Sequence, residues 1–232
     1  MSFLERTEML LGEDSSKKLA ASSVALFGLG GVGGGALEAL ARAGIGEFHL
    51  IDADVFSDSN LNRQLLATRN TLGMKKVDAA KDRVLSINPD AKVYTYPIFF
   101  GPDSEGIDFS CFDFVIDAID SVSGKLEIIK RCSELGIPMV SCMGCGNRLD
   151  PSKLHITDLF KTEYDPLAKA IRKKCREFGI KHLRVVASNE TALHPVDAEG
   201  KPSRIPGSTT FVPPAAGFLL AQEAVSVLLA KE

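Results

Sequence analysis

The 232-residue sequence predicts an α/β fold, with a mainly parallel β-sheet flanked by helices. Short apolar segments of strand length alternate with amphipathic segments of helix length through the first 150 residues, a pattern typical of right-handed β-α-β units. In addition, the first strand runs into a glycine-rich turn at 28–33 that opens a helix, as in the first connection of doubly wound sheets. Together the two observations predict a Rossmann-like arrangement.

Apolar periodicity and turn residues place the elements of the first half. The first 20 residues carry a mixed apolar face that predicts one helix. Continuous or alternating apolar residues predict strands, and 3.6-residue periodicity predicts the helices between them. The predicted strands span 24–27, 47–52, 91–98, 112–120 and 137–142, and the predicted helices span 36–43, 74–87 and 121–135. Gly44 ends the first of these helices, and Asn88-Pro89 ends the second.

The alternation weakens after residue 150. Two further strands, 154–159 and 183–188, are predicted to extend the sheet on the side of the substrate. A basic helix is expected at 165–178, and an apolar helix at 211–232 follows a loop rich in Gly, Pro and Ser. We therefore expect a single domain over 1–232, with a nucleotide-binding half at 1–150 and a substrate-binding half at 151–232.

Composition excludes several classes of protein. The chain has 27 Lys and Arg against 30 Asp and Glu, a net charge of −3, which argues against non-specific coating of nucleic acid but leaves a local basic patch open. No uninterrupted apolar run reaches roughly 18 residues, so no membrane span is expected. Glu5 and Glu8 interrupt any signal-peptide core, and five cysteines, an odd count, favour a reducing compartment. We expect a cytoplasmic protein.

The glycine turn is the first candidate site. Gly28, Gly30 and Gly33 form G-x-G-x-x-G, and Gly31 adds a further residue without a side chain. Such a turn lets backbone N–H groups approach a phosphate at the N-terminus of a helix. Asp52 ends the next strand, 19 residues after Gly33, where a carboxylate bonds ribose hydroxyls. The alternative is a tight turn that serves packing only.

Polar residues after the following strands favour a triphosphate over a dinucleotide. Asn60, Arg63 and Gln64 follow the Asp52 strand, Lys76 begins the next helix, and Asp120 ends the fourth strand. Parallel strand ends converge on one crevice. Two cations suit a triphosphate, and a facing carboxylate suits the Mg²⁺ bound to it. Asp120 is equally placed to cap the helix that it precedes.

Five segments, in order, resemble a family of adenylating enzymes. They are GLGGVG at 28–33, LID at 50–52, NLNRQ at 60–64, GMKK at 73–76 and DAID at 117–120. The family includes the ubiquitin-activating enzymes and the bacterial activators of sulfur-carrier proteins. The resemblance implies an ATP site and a homodimer.

The resemblance also implies a role for individual residues. The glycine turn and Asp52 would hold ATP, Arg63 and Lys76 would contact its phosphates, and Asp120 would hold Mg²⁺. Asn60 and Gln64 match further positions of the nucleotide site. Arg6 matches an arginine that members of this family lend to the ATP site of the partner subunit.

The second half resembles a tRNA-modifying branch of the same family. The segments NRLDPSKLHITDLFKTEYDPLAKAIRKKC, HLRVVAS and PGSTTFVPPAAGF carry this likeness. The branch adenylates the carboxylate of a threonylcarbamoyl group on a tRNA adenosine and closes a ring. For this chain we expect no enzyme nucleophile, because no cysteine stands in a convincing catalytic motif. Some members carry a Cys where this chain has 207–209, Gly-Ser-Thr.

The residues alone leave three other functions open. The first is activation of a sulfur-carrier or ubiquitin-like protein, but those activators usually have two zinc-binding C-x-x-C pairs and this chain has one, Cys142 and Cys145. A sulfur-transfer partner is therefore unsupported. The second is an NAD-dependent oxidoreductase, which would leave Arg63 and Lys76 without a role. The third is a nucleotide-binding scaffold without catalysis.

Cysteines and one basic segment have two interpretations each. We favour packing over metal or redox chemistry for Cys142 and Cys145, and a merely incidental position over a thioester nucleophile for Cys175. Residues 161–184 contain eight Lys or Arg and three acids. This segment is either a solvated helix face or a surface for tRNA phosphates. We expect it to bind tRNA.

Overall fold

A computed structural model describes residues 2–196, 200–203 and 205–230. One seven-stranded sheet crosses both halves of the chain, in the order β3-β2-β1-β4-β5-β7-β6. The strands are β1 Ser23–Phe27, β2 Glu47–Ile51, β3 Lys92–Tyr96, β4 Phe114–Asp117, β5 Met139–Cys142, β6 Leu154–Asp158 and β7 Arg184–Ser188. All neighbours pair in parallel except β6 with β7. The α/β prediction and the extension of the sheet by two late strands are confirmed.

Seven helices flank this sheet within the described residues. They are α1 Glu5–Leu11, α2 Glu13–Ala20, α3 Gly31–Ala43, α4 Lys76–Ile87, α5 Val122–Leu135, α6 Pro166–Glu177 and α7 Val212–Ala230. The prediction of one N-terminal helix is wrong, because Gly12, at φ +83°, separates α1 from α2. A left-handed backbone of this kind interrupts a helix and favours glycine.

The helix after the glycine turn begins five residues earlier than predicted, because residues 31–35, four glycines and Val32, are helical. Their small size lets α3 and α7 cross closely. A Cβ on Gly35 would lie 2.5 Å from the carbonyl oxygen of Pro214, and one on Gly217 would overlap the carbonyl oxygen of Val32. Gly35 and Gly217 are therefore required by helix packing.

α7 is the central helix of one face of the sheet. It contacts α3, β5 and β6, and it buries residues such as Leu220 and Leu228 in the main core. By length and composition alone this one helix is apolar enough to cross a membrane, but core helices pass the same test. Its charge, Glu223, binds Arg184 of β7 at 2.6 Å.

Candidate active site

A cavity opens at the carboxyl edge of the sheet, beside the paired strands β1 and β4. The strand order reverses between these two strands, with β2 and β3 on one side and β5, β7 and β6 on the other. Ligands of open α/β sheets bind at such a switch point. The volume of this edge cavity is about 760 Å³. It is lined by nine of the eleven predicted site residues: Gly28, Gly30, Gly31, Asp52, Asn60, Arg63, Gln64, Lys76 and Asp120. The structure thus brings most of the predicted set together.

The glycines of the turn have different roles. Gly28 has φ +88°, and a Cβ there would lie 2.7 Å from the carbonyl oxygen of Ala118. A Cβ on Gly33 would overlap the carbonyl oxygen of Gly28, and Gly33 does not line the cavity. Both are required by packing between β1, α3 and the end of β4. By contrast, a Cβ on Gly30 would meet nothing nearer than Gln64 Nε2, at 3.8 Å. Packing does not require Gly30, so its bare backbone leaves open space for a ligand.

Asp52, at the end of β2, is fixed by two backbone groups. Its Oδ2 accepts the N–H of Leu29 at 2.7 Å, and its Oδ1 accepts the N–H of Asp54 at 2.8 Å. Burial raises the pKa of Asp52 above 3.8, although the charge of Lys76 opposes the rise. The pKa of Asp52 is higher in the folded protein than in the unfolded chain. Ionisation of this carboxyl group therefore lowers the stability of the fold as the pH rises above 3.8. A group that is kept at such a cost to stability is typical of a binding site.

Lys76 lies between two carboxylates. Its Nζ is 2.7 Å from Asp54 Oδ2 and 3.9 Å from Asp52 Oδ2. The lysine side chain is 7% exposed, whereas that of Asp54 is 69% exposed. Asp54 also lines the cavity and was missed by the sequence prediction. The signal was available, since a second acid follows Asp52 by two residues.

Arg63 is positioned by its own loop. Its Nη1 donates to the carbonyl oxygen of Ser59 at 2.9 Å and to Asn62 Oδ1 at 2.8 Å. Asn62 in turn donates to the carbonyl oxygen of Ser208 at 3.0 Å and accepts from the hydroxyl of Thr210 at 2.7 Å. These bonds hold the late loop against the cavity, which Ser208 lines. Sequence reasoning missed this contact because 146 residues separate its partners.

The two amides in the cavity differ. Asn60 uses its Oδ1 to accept the N–H of Ser57 at 3.0 Å, which closes a capping box. Gln64 is 7% exposed, and its Oε1 has no hydrogen-bond partner within the described part of the chain. A buried acceptor without a hydrogen-bond partner destabilises the folded state. Gln64 Oε1 is therefore ready to accept a bond from a ligand.

Asp120 is exposed and lines the cavity beyond the end of β4. The capping alternative does not apply to it, because Ser121 is the N-cap of α5 and accepts the N–H of Gly124 at 3.3 Å. The neighbouring acid Asp117 is fully buried and pairs with Lys125 Nζ at 3.0 Å. Asp120 is thus the carboxylate of this strand end that remains open to a ligand.

No cluster of three metal-ligating side chains occurs among residues 2–196, 200–203 and 205–230. Mg²⁺ usually binds one or two carboxylates together with phosphate oxygens and water. Asp120 alone therefore fits an ion that arrives with a nucleotide, but not a metal held by protein ligands only.

Arg6 and the basic segment lie away from these residues. Arg6 is exposed on α1 and does not line the cavity of its own chain. In the basic segment, Arg172 faces inward, where its guanidinium donates to the carbonyl oxygens of Leu159 at 3.1 Å and Thr162 at 2.6 Å. Arg172 is therefore a structural residue rather than a tRNA contact. The Leu167 side of α6 borders the cavity.

The cysteines divide into two groups. Cys175 is fully buried on α6, and burial raises its pKa to about 11, so the incidental interpretation agrees with the structure. Cys142 and Cys145 instead line the edge cavity.

Comparison with known proteins adds evidence on the family. The ThiF family profile matches residues 4–232. The chain belongs to the ThiF family. The family resemblance inferred from the five segments is thereby confirmed.

Two similar proteins and one solved structure match this chain over nearly its whole length. A Bacillus subtilis (strain 168) protein named tRNA threonylcarbamoyladenosine dehydratase is 37% identical over 238 residues, 97% of this chain and 93% of that protein. The Escherichia coli (strain K12) protein of the same name is 35% identical over 249 residues, 97% of this chain and 92% of that protein. A crystal structure of the E. coli enzyme in complex with ATP has a TM-score of 0.87 at 34% identity, covering 98% of this chain and 93% of that chain.

Proposed function

We propose that this ThiF-family chain is an ATP-dependent dehydratase that adenylates the carboxylate of threonylcarbamoyladenosine in tRNA and closes it into a ring. The observation that carries the proposal is the edge cavity itself. It combines the open backbone of Gly30, the buried carboxylate of Asp52, two cations and the exposed carboxylate of Asp120. The names of the full-length relatives support the same substrate.

The lining residues suggest how ATP would lie in the cavity. Its ribose hydroxyls would donate to Asp52, and its phosphates would lie over the backbone of Gly30 and Gly31 at the start of α3. Lys76 would then leave the exposed Asp54 for a phosphate oxygen. Arg63 would contact the phosphates from the opposite loop. Mg²⁺ on Asp120 would neutralise charge on the leaving pyrophosphate.

The first chemical step is attack of the substrate carboxylate on the α-phosphate, with release of pyrophosphate. The charge that develops on the phosphate is stabilised by fixed cations, usually the largest contribution to such catalysis. Removing one such group costs a factor of about 10²–10³ in rate. Arg63→Ala is therefore expected to lower kcat within this range while the protein stays folded.

Ring closure needs no nucleophile from the enzyme. The carbamoyl group of the substrate attacks its own acyl-adenylate, and AMP leaves. Cys175 does not supply one, because a fully buried thiol with a raised pKa is a poor nucleophile.

A second subunit would complete the site. Arg6 is exposed on α1, next to the apolar side chains of Phe3, Met9 and Leu10, which are 53%, 75% and 86% exposed. An apolar helix surface of this kind is typical of a protein interface. We infer a cytoplasmic homodimer, of single-domain subunits, in which Arg6 reaches the ATP of the partner.

Mixing two inactive variants tests that dimer. Arg6→Ala and Asp120→Ala proteins should regain activity when mixed, because half of the sites in a mixed dimer combine an intact Arg6 with an intact Asp120. Subunit exchange is verified separately with differently tagged copies. Exchange without any recovery of activity contradicts the shared site.

tRNA would lie along the exposed side of α6. Lys169 and Lys173 are exposed on it, Lys161 is exposed on the turn that precedes it, and Leu167 on its first turn borders the cavity. Tyr164, 66% exposed and at φ +56°, precedes this helix and offers an aromatic ring to an unpaired base. The neighbouring loop position 204 lies outside the described residues.

Salt dependence tests this surface. Replacing Lys169 and Lys173 with Ala should weaken tRNA binding and reduce the slope of log affinity against log salt by about 0.7–0.9 for each lost phosphate contact. The matched control is Lys81→Ala with Lys92→Ala, two exposed lysines on α4 and β3 at the other end of the sheet. Equal slopes for the two double variants contradict the assignment.

Pyrophosphate release tests the function. ATP is supplied with tRNA that carries the modified adenosine, with tRNA that lacks it, or with a small carrier protein. We expect release with the modified tRNA only, and none with Asp120→Ala. Release with the carrier protein alone would instead assign the chain to the carrier-protein activators, and binding of NAD without binding of ATP would exclude both.

A further inference from the structure

Two cysteine thiols face each other in the wall of the edge cavity. Cys142 is the last residue of β5, and Cys145 follows three residues later. Their Sγ atoms lie 3.4 Å apart, within hydrogen-bond distance for sulfur, and both residues line the cavity. The adenylation chemistry uses neither thiol.

The two thiols have unequal surroundings. The hydrogen bond from Cys142 lowers the pKa of Cys145, burial opposes this, and the charges of Arg148 and Lys125 lower it further. The same hydrogen bond and burial raise the pKa of Cys142. Cys142 is 4% exposed, whereas Cys145 is partly exposed. Cys145 is therefore the accessible nucleophile, and Cys142 lies behind it in position to react second.

We propose that Cys145 and Cys142 are a thiol-modification site, which small disulfide compounds convert reversibly to an intramolecular disulfide. The Cys145 thiolate attacks one sulfur of the compound, a mixed disulfide forms, and one small thiol leaves. Cys142, losing its proton, then attacks Cys145 Sγ and releases the second small thiol. Two protein thiols are oxidised and one small disulfide is reduced to two thiols, so electrons and protons balance.

Closure of the disulfide requires little movement of the sulfurs but affects the cavity wall. A disulfide has an S–S length of about 2.05 Å, so the 3.4 Å separation must shrink by about 1.3 Å. Gly144, between the cysteines, donates its N–H to Asp165 Oδ2 at 2.8 Å. A Cβ on Gly146 would lie 3.0 Å from Pro206 of the late loop. This wall is packed between the start of α6 and the late loop, so the oxidised form alters the substrate side of the cavity.

The other cysteines supply internal controls. Cys132 and Cys175 are buried, and burial raises their pKa values to about 12 and about 11. Only the thiolate attacks a disulfide. Cys145 is partly exposed and its pKa is lowered, whereas Cys175 is buried and its pKa is raised, so Cys145 should react faster than Cys175. Cys111 is exposed and is best removed from the background.

The experiment uses full-length Cys111→Ser protein and oxidised glutathione at neutral pH, followed by intact-mass and peptide analysis. We expect loss of two hydrogens in mass, a peptide that links residue 142 to residue 145, and full recovery with a reductant. In the added Cys142→Ser variant the reaction should stop at one glutathione adduct on Cys145. In the added Cys145→Ser variant the rate of modification should fall at least tenfold.

Three results would overturn the proposal. They are an unmodified Cys111→Ser protein, an adduct that stays on Cys145 although Cys142 is present, and equal rates for Cys145 and Cys175. Circular dichroism of each variant shows whether it is folded, and Cys145→Ala serves as a second substitution if Cys145→Ser is unfolded. None of these readouts depends on the substrate assigned above.

Discussion

Lys125 of α5 sits under the candidate active site and connects the ends of two strands. Its Nζ is 3.0 Å from Asp117 Oδ2 on β4 and donates to the carbonyl oxygen of Cys142 on β5 at 2.8 Å. The side chains of Lys125 and Asp117 are 1% and 0% exposed. Lys125→Met keeps the length and most of the volume of the side chain but removes its charge. It therefore leaves the Asp117 carboxylate buried without its cation.

The expected loss of stability follows from that burial. Removing one partner of a buried ion pair costs about 3–5 kcal/mol, because the remaining charge is no longer compensated. For a domain of this size each kcal/mol lowers Tm by about 2–4 °C. Lys125→Met should lower Tm by about 6–20 °C. Asp117 keeps bonds from Ser141 Oγ at 2.5 Å and from the N–H of Ile119 at 3.2 Å, which favours the lower part of the range.

Thermal and urea unfolding of the purified variants measure this loss. Lys130→Met, on the same helix, is the control, because its partner Glu134 is 3.9 Å away and both side chains are more than half exposed. The control should lose less than about 1 kcal/mol. Adding Asp117→Leu to Lys125→Met should restore at least half of the lost stability, since an apolar pair avoids the buried charge. If Lys125→Met loses no more than Lys130→Met, the buried pair does not support the strand ends as argued.

Two further predictions concern the cavity, and a third concerns α6. Gly30→Ala should fold normally but bind ATP at least tenfold more weakly, as measured by calorimetry. Gly33→Ala should fail to fold or lose several kcal/mol of stability, because its Cβ would overlap the carbonyl oxygen of Gly28. Equal stability of the two variants would contradict this expectation. A carbon-13 NMR titration of the nucleotide-free protein should give Asp52 a pKa above 3.8. Lys76→Met should raise this pKa further, because the charge of Lys76 lowers it. An unchanged or lower pKa in the variant would be inconsistent with the ion pair. Arg172→Ala should lower Tm, because the two carbonyl oxygens on the 159–162 turn lose their donor. It should leave the salt dependence of tRNA binding unchanged. A flatter dependence would mean that Arg172 contacts tRNA.

The sequence by itself determined the α/β class, the strands and helices of the first half, and the polar residues that follow each strand. These features depend on local patterns, namely apolar periodicity, glycine turns and the order of motifs along the chain. Because parallel strands end at one edge of a sheet, the positions of Asp52, Lys76 and Asp120 in the sequence were enough to predict that they meet. The first helix boundary was missed, since one glycine at a left-handed backbone angle carries little weight in a periodic pattern.

Only the tertiary structure decided which of these groups are free to act. It pairs Lys76 with Asp54, turns Arg172 inward, and separates the open glycine, Gly30, from Gly33, which packing requires. It also brings the late loop to Arg63 through contacts between residues nearly 150 positions apart. Such pairings depend on which side chains share a buried volume once all layers are packed. Local periodicity does not show which side chains share that volume. The sequence therefore identifies the candidate groups, and tertiary packing determines their partners.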